Sequence, residues 1–139
     1  MENKIYAVID TNVLVSALLS SETQSNPLQV LKAIIDDKII PLYCDEILTE
    51  YKNVLARDKF PFTNELIEKT IDLFVNNGLD TNRVPSNNYL IPDPKDVVFF
   101  EVSLAKENSY LVTGNIKHFP KIDKVVTPVE MVTILSFIE

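Results

Sequence analysis

Five consecutive apolar residues, Ile5-Tyr6-Ala7-Val8-Ile9, run straight into an aspartate, Asp10. An unbroken β-rich run of this kind, without polar alternation, marks a strand buried on both faces, and such strands belong to parallel sheets covered by helices. The pattern returns at Ile39-Ile40-Pro41-Leu42-Tyr43 and Tyr110-Leu111-Val112, with a short run at Lys124-Val125-Val126 and a weaker edge candidate over Leu79 to Val84. Apolar residues at helical spacing fill the intervals. One helix follows Asp10 or Thr11 through Val13, Leu14, Ala17 and Leu18, and a second opens on Asn26 as cap with Pro27 at its first position. A third starts near Asp45, and a fourth spans Asn64 to Asn76 with Gly78 as its stop. Asp93-Pro94-Lys95-Asp96 reads as cap and first turn of a helix reaching about Ser109, and Thr127-Pro128-Val129-Glu130 is a capping box for the last helix. The order β-α-α-β-α-α-β-α-β-β-α predicts an α/β fold, a doubly wound parallel sheet with helices on both faces. With no repeat, linker or low-complexity tract, residues 1–139 read as a single domain.

Composition narrows the function classes. Hydrophobic residues make up 46% and charged ones 24% of the 139 residues, ordinary for a globular protein large enough to bury a core. No apolar run approaches the roughly 18 residues of a membrane span. The start Met1-Glu2-Asn3-Lys4 carries no basic leader, and Cys44, the single cysteine, cannot form an internal disulfide, so a cytoplasmic protein is expected. A net charge of −7 argues against a module that holds nucleic acid by charge alone. It argues less against a nuclease, because clustered acids account for part of the excess and bound divalent cations reverse its local sign.

The acids fall at strand-to-helix transitions. Asp10 follows the first strand, Asp96 lies in the first turn of its helix, and Asn115 follows the strand that ends in Val112-Thr113-Gly114. In a doubly wound sheet such transitions converge on one edge, where the binding crevice lies. Glu50 stands three positions after Ile47 and four before Val54, on the flank of a buried helical stripe, whereas Glu46 points further out. Gathered carboxylates repel one another unless protonated or bridged by a cation, and oxygen-only clusters favour Mg²⁺ or Mn²⁺. Each position also has a structural reading. Asp10 or Thr11 caps the next helix, Asp93 and Asp96 serve the N-terminus of theirs, Glu50 is solvated, and Gly114 supplies a turn by close approach or positive φ. His118, the lone histidine, makes no case for zinc and either packs beside Phe119 or touches substrate.

Taken together, Asp10-Thr11-Asn12-Val13-Leu14-Val15-Ser16-Ala17-Leu18, Glu50, Asp93-Pro94-Lys95-Asp96 and Val112-Thr113-Gly114-Asn115 resemble the PIN domain, and more narrowly the PIN-family toxins of toxin–antitoxin pairs. The resemblance covers essentially the whole chain. It implies a five-stranded parallel sheet ordered 3-2-1-4-5 and a Mg²⁺- or Mn²⁺-dependent endoribonuclease acting on single-stranded RNA. It also implies a small antitoxin partner and a possible homodimer. By position the family's acids fall on Asp10, Glu50 and Asp96, the metal ligands, with Asn115 where a fourth acid is usual. Thr113 matches the hydroxyl residue beside the site and Asn12 a supporting polar residue. Asn115 is the departure: its amide oxygen still coordinates but brings no charge, so cation binding is expected to be weaker. Lys95, Lys117 and His118 are the expected phosphate contacts near the rim, and Tyr89 a surface on which a base could stack.

Other readings remain. The same pattern suits a module that binds RNA or a protein without cutting. A Mg²⁺-dependent phosphatase of the haloacid dehalogenase type expects a second acid where Asn12 stands. A receiver domain expects paired acids after the first strand and an aspartate after the third, which Thr81-Asn82-Arg83-Val84 does not supply.

Overall fold

The computed structural model describes residues 4–138, so the start Met1 to Asn3, on which the expectation about a leader rests, lies outside the described residues. Five parallel strands, β1 (Ile5–Ile9), β2 (Ile39–Tyr43), β3 (Leu79–Asp80), β4 (Ser109–Val112) and β5 (Val125–Val126), form one sheet in the order β3-β2-β1-β4-β5. The helices are α1 (Thr11–Leu19), α2 (Asn26–Ile35), α3 (Asp45–Leu55), α4 (Asn64–Asn77), α5 (Pro94–Leu104) and α6 (Pro128–Ser136). The expected order of elements and the expected sheet are both present. A flavodoxin-like receiver has its strands in the order 2-1-3-4-5, which is not the order here.

The chain builds the β2–β3 side of the sheet first and then returns to the other side of β1 to lay down β4 and β5. The winding direction therefore reverses between β1 and β4, and a crevice opens beyond their C-terminal ends. Register makes this specific. Ile9 pairs with Val112, so the next residues, Asp10 and Thr113, emerge side by side.

The core explains why β1 is so apolar. Ala7 and Val8 are fully buried, and Ile9 almost so, between helices on the two faces. Tyr51 of α3 is wholly buried, meets Phe74 edge-on with ring centroids 5.0 Å apart, and donates its hydroxyl to the Ile9 carbonyl at 2.5 Å. That bond fixes α3 against the strand end that carries Asp10. Tyr51→Phe leaves a buried carbonyl short of a donor, and a loss of about 1–2 kcal/mol in urea unfolding is expected. An unchanged midpoint would show that the hydroxyl contributes packing only.

Several local details differ from expectation. Ser25, not Asn26, caps α2, because its extended backbone lets the hydroxyl accept from Leu28 N–H at 3.4 Å. Helix α5 stops at Leu104 rather than near Ser109, because Ser109 pairs with Tyr6 as the first residue of β4. The helix-end carbonyl of Ser103 is then satisfied by Ser109 Oγ at 2.9 Å and Lys124 Nζ at 2.6 Å. Strand β3 has two residues instead of six: Thr81 N–H still bonds to Tyr43 as the last rung to β2, and beyond it Val84 N–H bonds to Glu101 of α5, which takes the chain away from the sheet. Gly114 has no positive φ, and a Cβ there would come no nearer than 3.6 Å to Asn12 Oδ1, so the position does not require glycine. The capping box of α6 forms as read, with Thr127 and Glu130 bonding reciprocally.

Candidate active site

At the β1/β4 crevice the Asp10 carboxylate is almost completely buried, 6% exposed, and both its oxygens are engaged. Oδ1 accepts from Thr11 N–H at 2.8 Å and Oδ2 from the Thr113 hydroxyl at 2.7 Å. Thr113, itself fully buried, accepts in turn from Asn115 N–H at 3.0 Å. Asn12 Oδ1 accepts from Gly114 N–H at 3.2 Å, fastening α1 to the turn after β4. Strand register, the Thr11 N–H and the Thr113 hydroxyl thus hold one carboxylate in a single orientation.

Asp10, Glu50 and Asp96 all line one cleft of about 390 Å³, together with Asn12, Asn115 and His118. Asp93 reaches the same rim while its carboxylate caps α5 by accepting from Lys95 N–H at 3.0 Å. A larger groove of about 540 Å³ lies between α3 and α4, but its walls carry no buried acid. Size alone would select a hollow without a buried acid.

The carboxylates sense one another. Burial pushes Asp10 up to about 6; the Thr113 hydroxyl opposes that shift and the charge of Asp96 adds to it. Asp96 is also raised, first by burial and then by Asp93, with Glu50 contributing and His118 pulling the other way. His118 Nδ1 stands 3.4 Å from Asp96 Oδ2, close enough to attract but not aligned as a hydrogen bond. Asp96 Oδ2 and Thr11 Oγ1 are consequently buried oxygens without a hydrogen-bond donor or acceptor among the described residues. Both residues border the cleft.

No three His, Cys, Asp or Glu side chains among the described residues stand as a ready-made metal cluster. The acids line the walls of an open cleft instead. The donor chemistry nevertheless fits a hard cation: an orphaned carboxylate oxygen, a second carboxylate destabilised by burial, a third acid and an amide oxygen, all oxygen.

Lys95 and Lys117 do not line this cleft. Lys117 borders a neighbouring apolar groove with Ile116, Phe119 and Val125, in and after the 3₁₀ turn Ile116–His118. Tyr89 packs edge-on against Phe100, with centroids 4.8 Å apart, and is also absent from the cleft walls. Among the further wall residues are the Thr11 hydroxyl, Arg57 and Phe60, to which the sequence reading assigns no functional role. Nothing in the sequence singles out Thr11 beyond capping. The run Arg57-Asp58-Lys59-Phe60-Pro61-Phe62, which mixes cations with aromatics, was the available signal for the other two.

A family description, the PIN domain, matches residues 6–117, from β1 through the turn after β4. The chain belongs to the PIN domain family. PIN domains are generally nucleases. Two solved structures share the fold: VapBC2 from Rickettsia felis bound to a DNA fragment from its promoter, and PAE2754 from Pyrobaculum aerophilum. The first has a TM-score of 0.57 and 18% identity over 88% of this chain and 97% of the other. The second has a TM-score of 0.58 and 13% identity over 97% and 91%. Curated proteins gave no match. The described residues contain no helix long and apolar enough to cross a membrane.

Proposed function

We propose that this PIN domain is a Mg²⁺- or Mn²⁺-dependent endoribonuclease that cuts single-stranded RNA, the toxin of a toxin–antitoxin pair working in the cytoplasm. The observation that carries this reading is the convergence of Asp10, Glu50 and Asp96 on one cleft in which a buried carboxylate oxygen accepts no hydrogen bond. Asp10 and Asp96 would hold the cation, with Glu50 and Asn115 joining directly or through water. When bound, the cation lowers the pKa of a water and screens charge on the scissile phosphate. The chain's own residues do the positioning. Thr113 and the Thr11 N–H fix the rotamer of Asp10, and Asn12 ties the turn bearing Asn115 to α1. His118 stands at the mouth against Asp96, where it can meet the incoming phosphate.

Support for an antitoxin partner comes from the acidic balance of the chain and from the likeness to VapBC2, and a homodimer belongs to the same reading.

The test is incubation of purified protein with a mixed RNA pool and Mn²⁺. Cleavage that stops with EDTA is expected, and Asp96→Asn is expected to slow it by about two to three orders of magnitude, the scale of several kcal/mol of transition-state stabilisation. Equal rates for wild type and variant would remove Asp96 from the mechanism. The amide at position 115, which adds no charge, favours one alternative, a module that holds RNA without cutting. RNA retained but intact at saturating Mn²⁺ would select it.

A further inference from the structure

One wall of the cleft is not acidic. Just after α3 the chain makes a tight turn, with Arg57 N–H bonding to Val54 and Phe60 N–H to Arg57, before Thr63 caps α4. Phe62 packs against the hydrophobic core, and Phe60 stacks on it with centroids 5.4 Å apart and planes inclined by 22°. Phe60 is only half-buried and lines the cleft, so part of its ring faces the space in front of the acids. Lys59 Nζ lies 5.1 Å from the centre of that ring. Arg57 is exposed on the same wall, and its guanidinium has no ion-pair partner among the described residues.

We infer that Arg57, Lys59 and Phe60 form a nucleotide subsite that seats the residue flanking the scissile phosphate, with its base stacked on Phe60 and its phosphate held by Arg57. This deepens the nuclease reading and rests on it. Core packing accounts for Phe62 but does not require a second ring left half in water upon it. In a chain of net charge −7, an unpaired guanidinium on the wall of a cleft that carboxylates also line is suited to an anion that must approach them. Together the two supply what single-strand binding uses: a cation for the backbone and an aromatic face for any base. Lys59, with its flexible stem beside the ring, adds a second backbone contact. Such a site favours single strands over duplexes, because only an unpaired base can leave its stack to lie on Phe60.

The chain has no tryptophan, so Phe60→Trp installs a lone reporter at the proposed stacking position. A short unstructured RNA oligonucleotide added to Asp10→Asn/Phe60→Trp protein with Mn²⁺ is expected to quench its emission. In the active protein, Phe60→Ala and Arg57→Gln are each expected to raise KM about tenfold with kcat within about twofold, and Phe60→Trp to keep the wild-type KM. Melting curves confirm that each variant is folded. If wild type cuts RNA and both KM values stay within twofold, the subsite is wrong and the nuclease reading stands. Quenching by RNA that is never cut supports the subsite and removes the nuclease reading. If wild type neither cuts nor binds RNA, both fail.

Discussion

Replacing Asp10 by asparagine is expected to silence cleavage and, at neutral pH, to make the protein harder to melt. The two effects share one cause. A carboxylate that is 6% exposed in a pocket with Asp96 is poorly solvated, and its pKa rises from 3.8 to about 6. The folded chain therefore holds this proton more tightly than the unfolded chain. Below about pH 3.8 both states are protonated and nothing is lost; as pH rises the unfolded chain ionises first, and stability falls until the penalty is complete above about pH 6. A shift of this size corresponds to about 3 kcal/mol at 1.36 kcal/mol per unit. Asparagine keeps an oxygen for the Thr11 N–H but disturbs the bond from Thr113. A net gain of about 1–2 kcal/mol at pH 7.5 is expected, raising Tm by about 3–8 °C, with no gain at pH 3.5. Thermal melts in EDTA at the two pH values check this. A Tm that falls equally at both would mean that Asp10 serves as a helix cap and little else. Loss of a cation ligand should cost the cleavage rate about three orders of magnitude or more.

The largest purely structural effect is expected at Gly78. Here α4 ends and the chain enters β3 so closely against β2 that a Cβ would stand 2.4 Å from both the Phe74 and the Pro41 carbonyl oxygens. Both obstacles are backbone. Phe74 is fully buried in α4, and Pro41 pairs with Ala7 across β1, so neither can yield without disturbing the sheet. The φ of −109° is open to any residue, so the requirement for glycine is one of space alone. Gly78→Ala should cost about 3 kcal/mol and lower Tm by roughly 10 °C. A change under about 2 °C would show that the α4–β3 junction shifts freely.

How much of this could be read from the chain depends on how local the signal is. The unbroken apolar runs identified the strands, because burial on both faces leaves no room for alternation. The helical stripes placed Glu50 on the edge of α3, and Glu50 does line the cleft. The juxtaposition of Asp10 and Thr113 needed the pairing of Ile9 with Val112, which local sequence does not state. The length of α5 was overread, since an apolar pattern continues through Leu104 while Ser109 belongs to β4. Charge and nearness in sequence to the acids point to Lys95 and Lys117, but neither is among the residues that line the cleft, and Lys117 borders the neighbouring groove. The Arg57-to-Phe60 turn was overlooked because, in sequence, it is only a polar link between two helices.

Arg83 gives the acidic cleft a counterweight. It reaches Glu46 on α3 at 2.6 Å and Glu101 on α5 at 2.7 Å, and Ser86 adds two bonds to Glu101. These are the helices that carry Glu50 and Asp96, one turn beyond Glu46 and five residues before Glu101. Mutual repulsion of the two acids acts to spread α3 and α5, and the guanidinium works as a tie-rod across the same pair. The two jaws are thus also braced from outside the cleft, by a cation that touches neither acid.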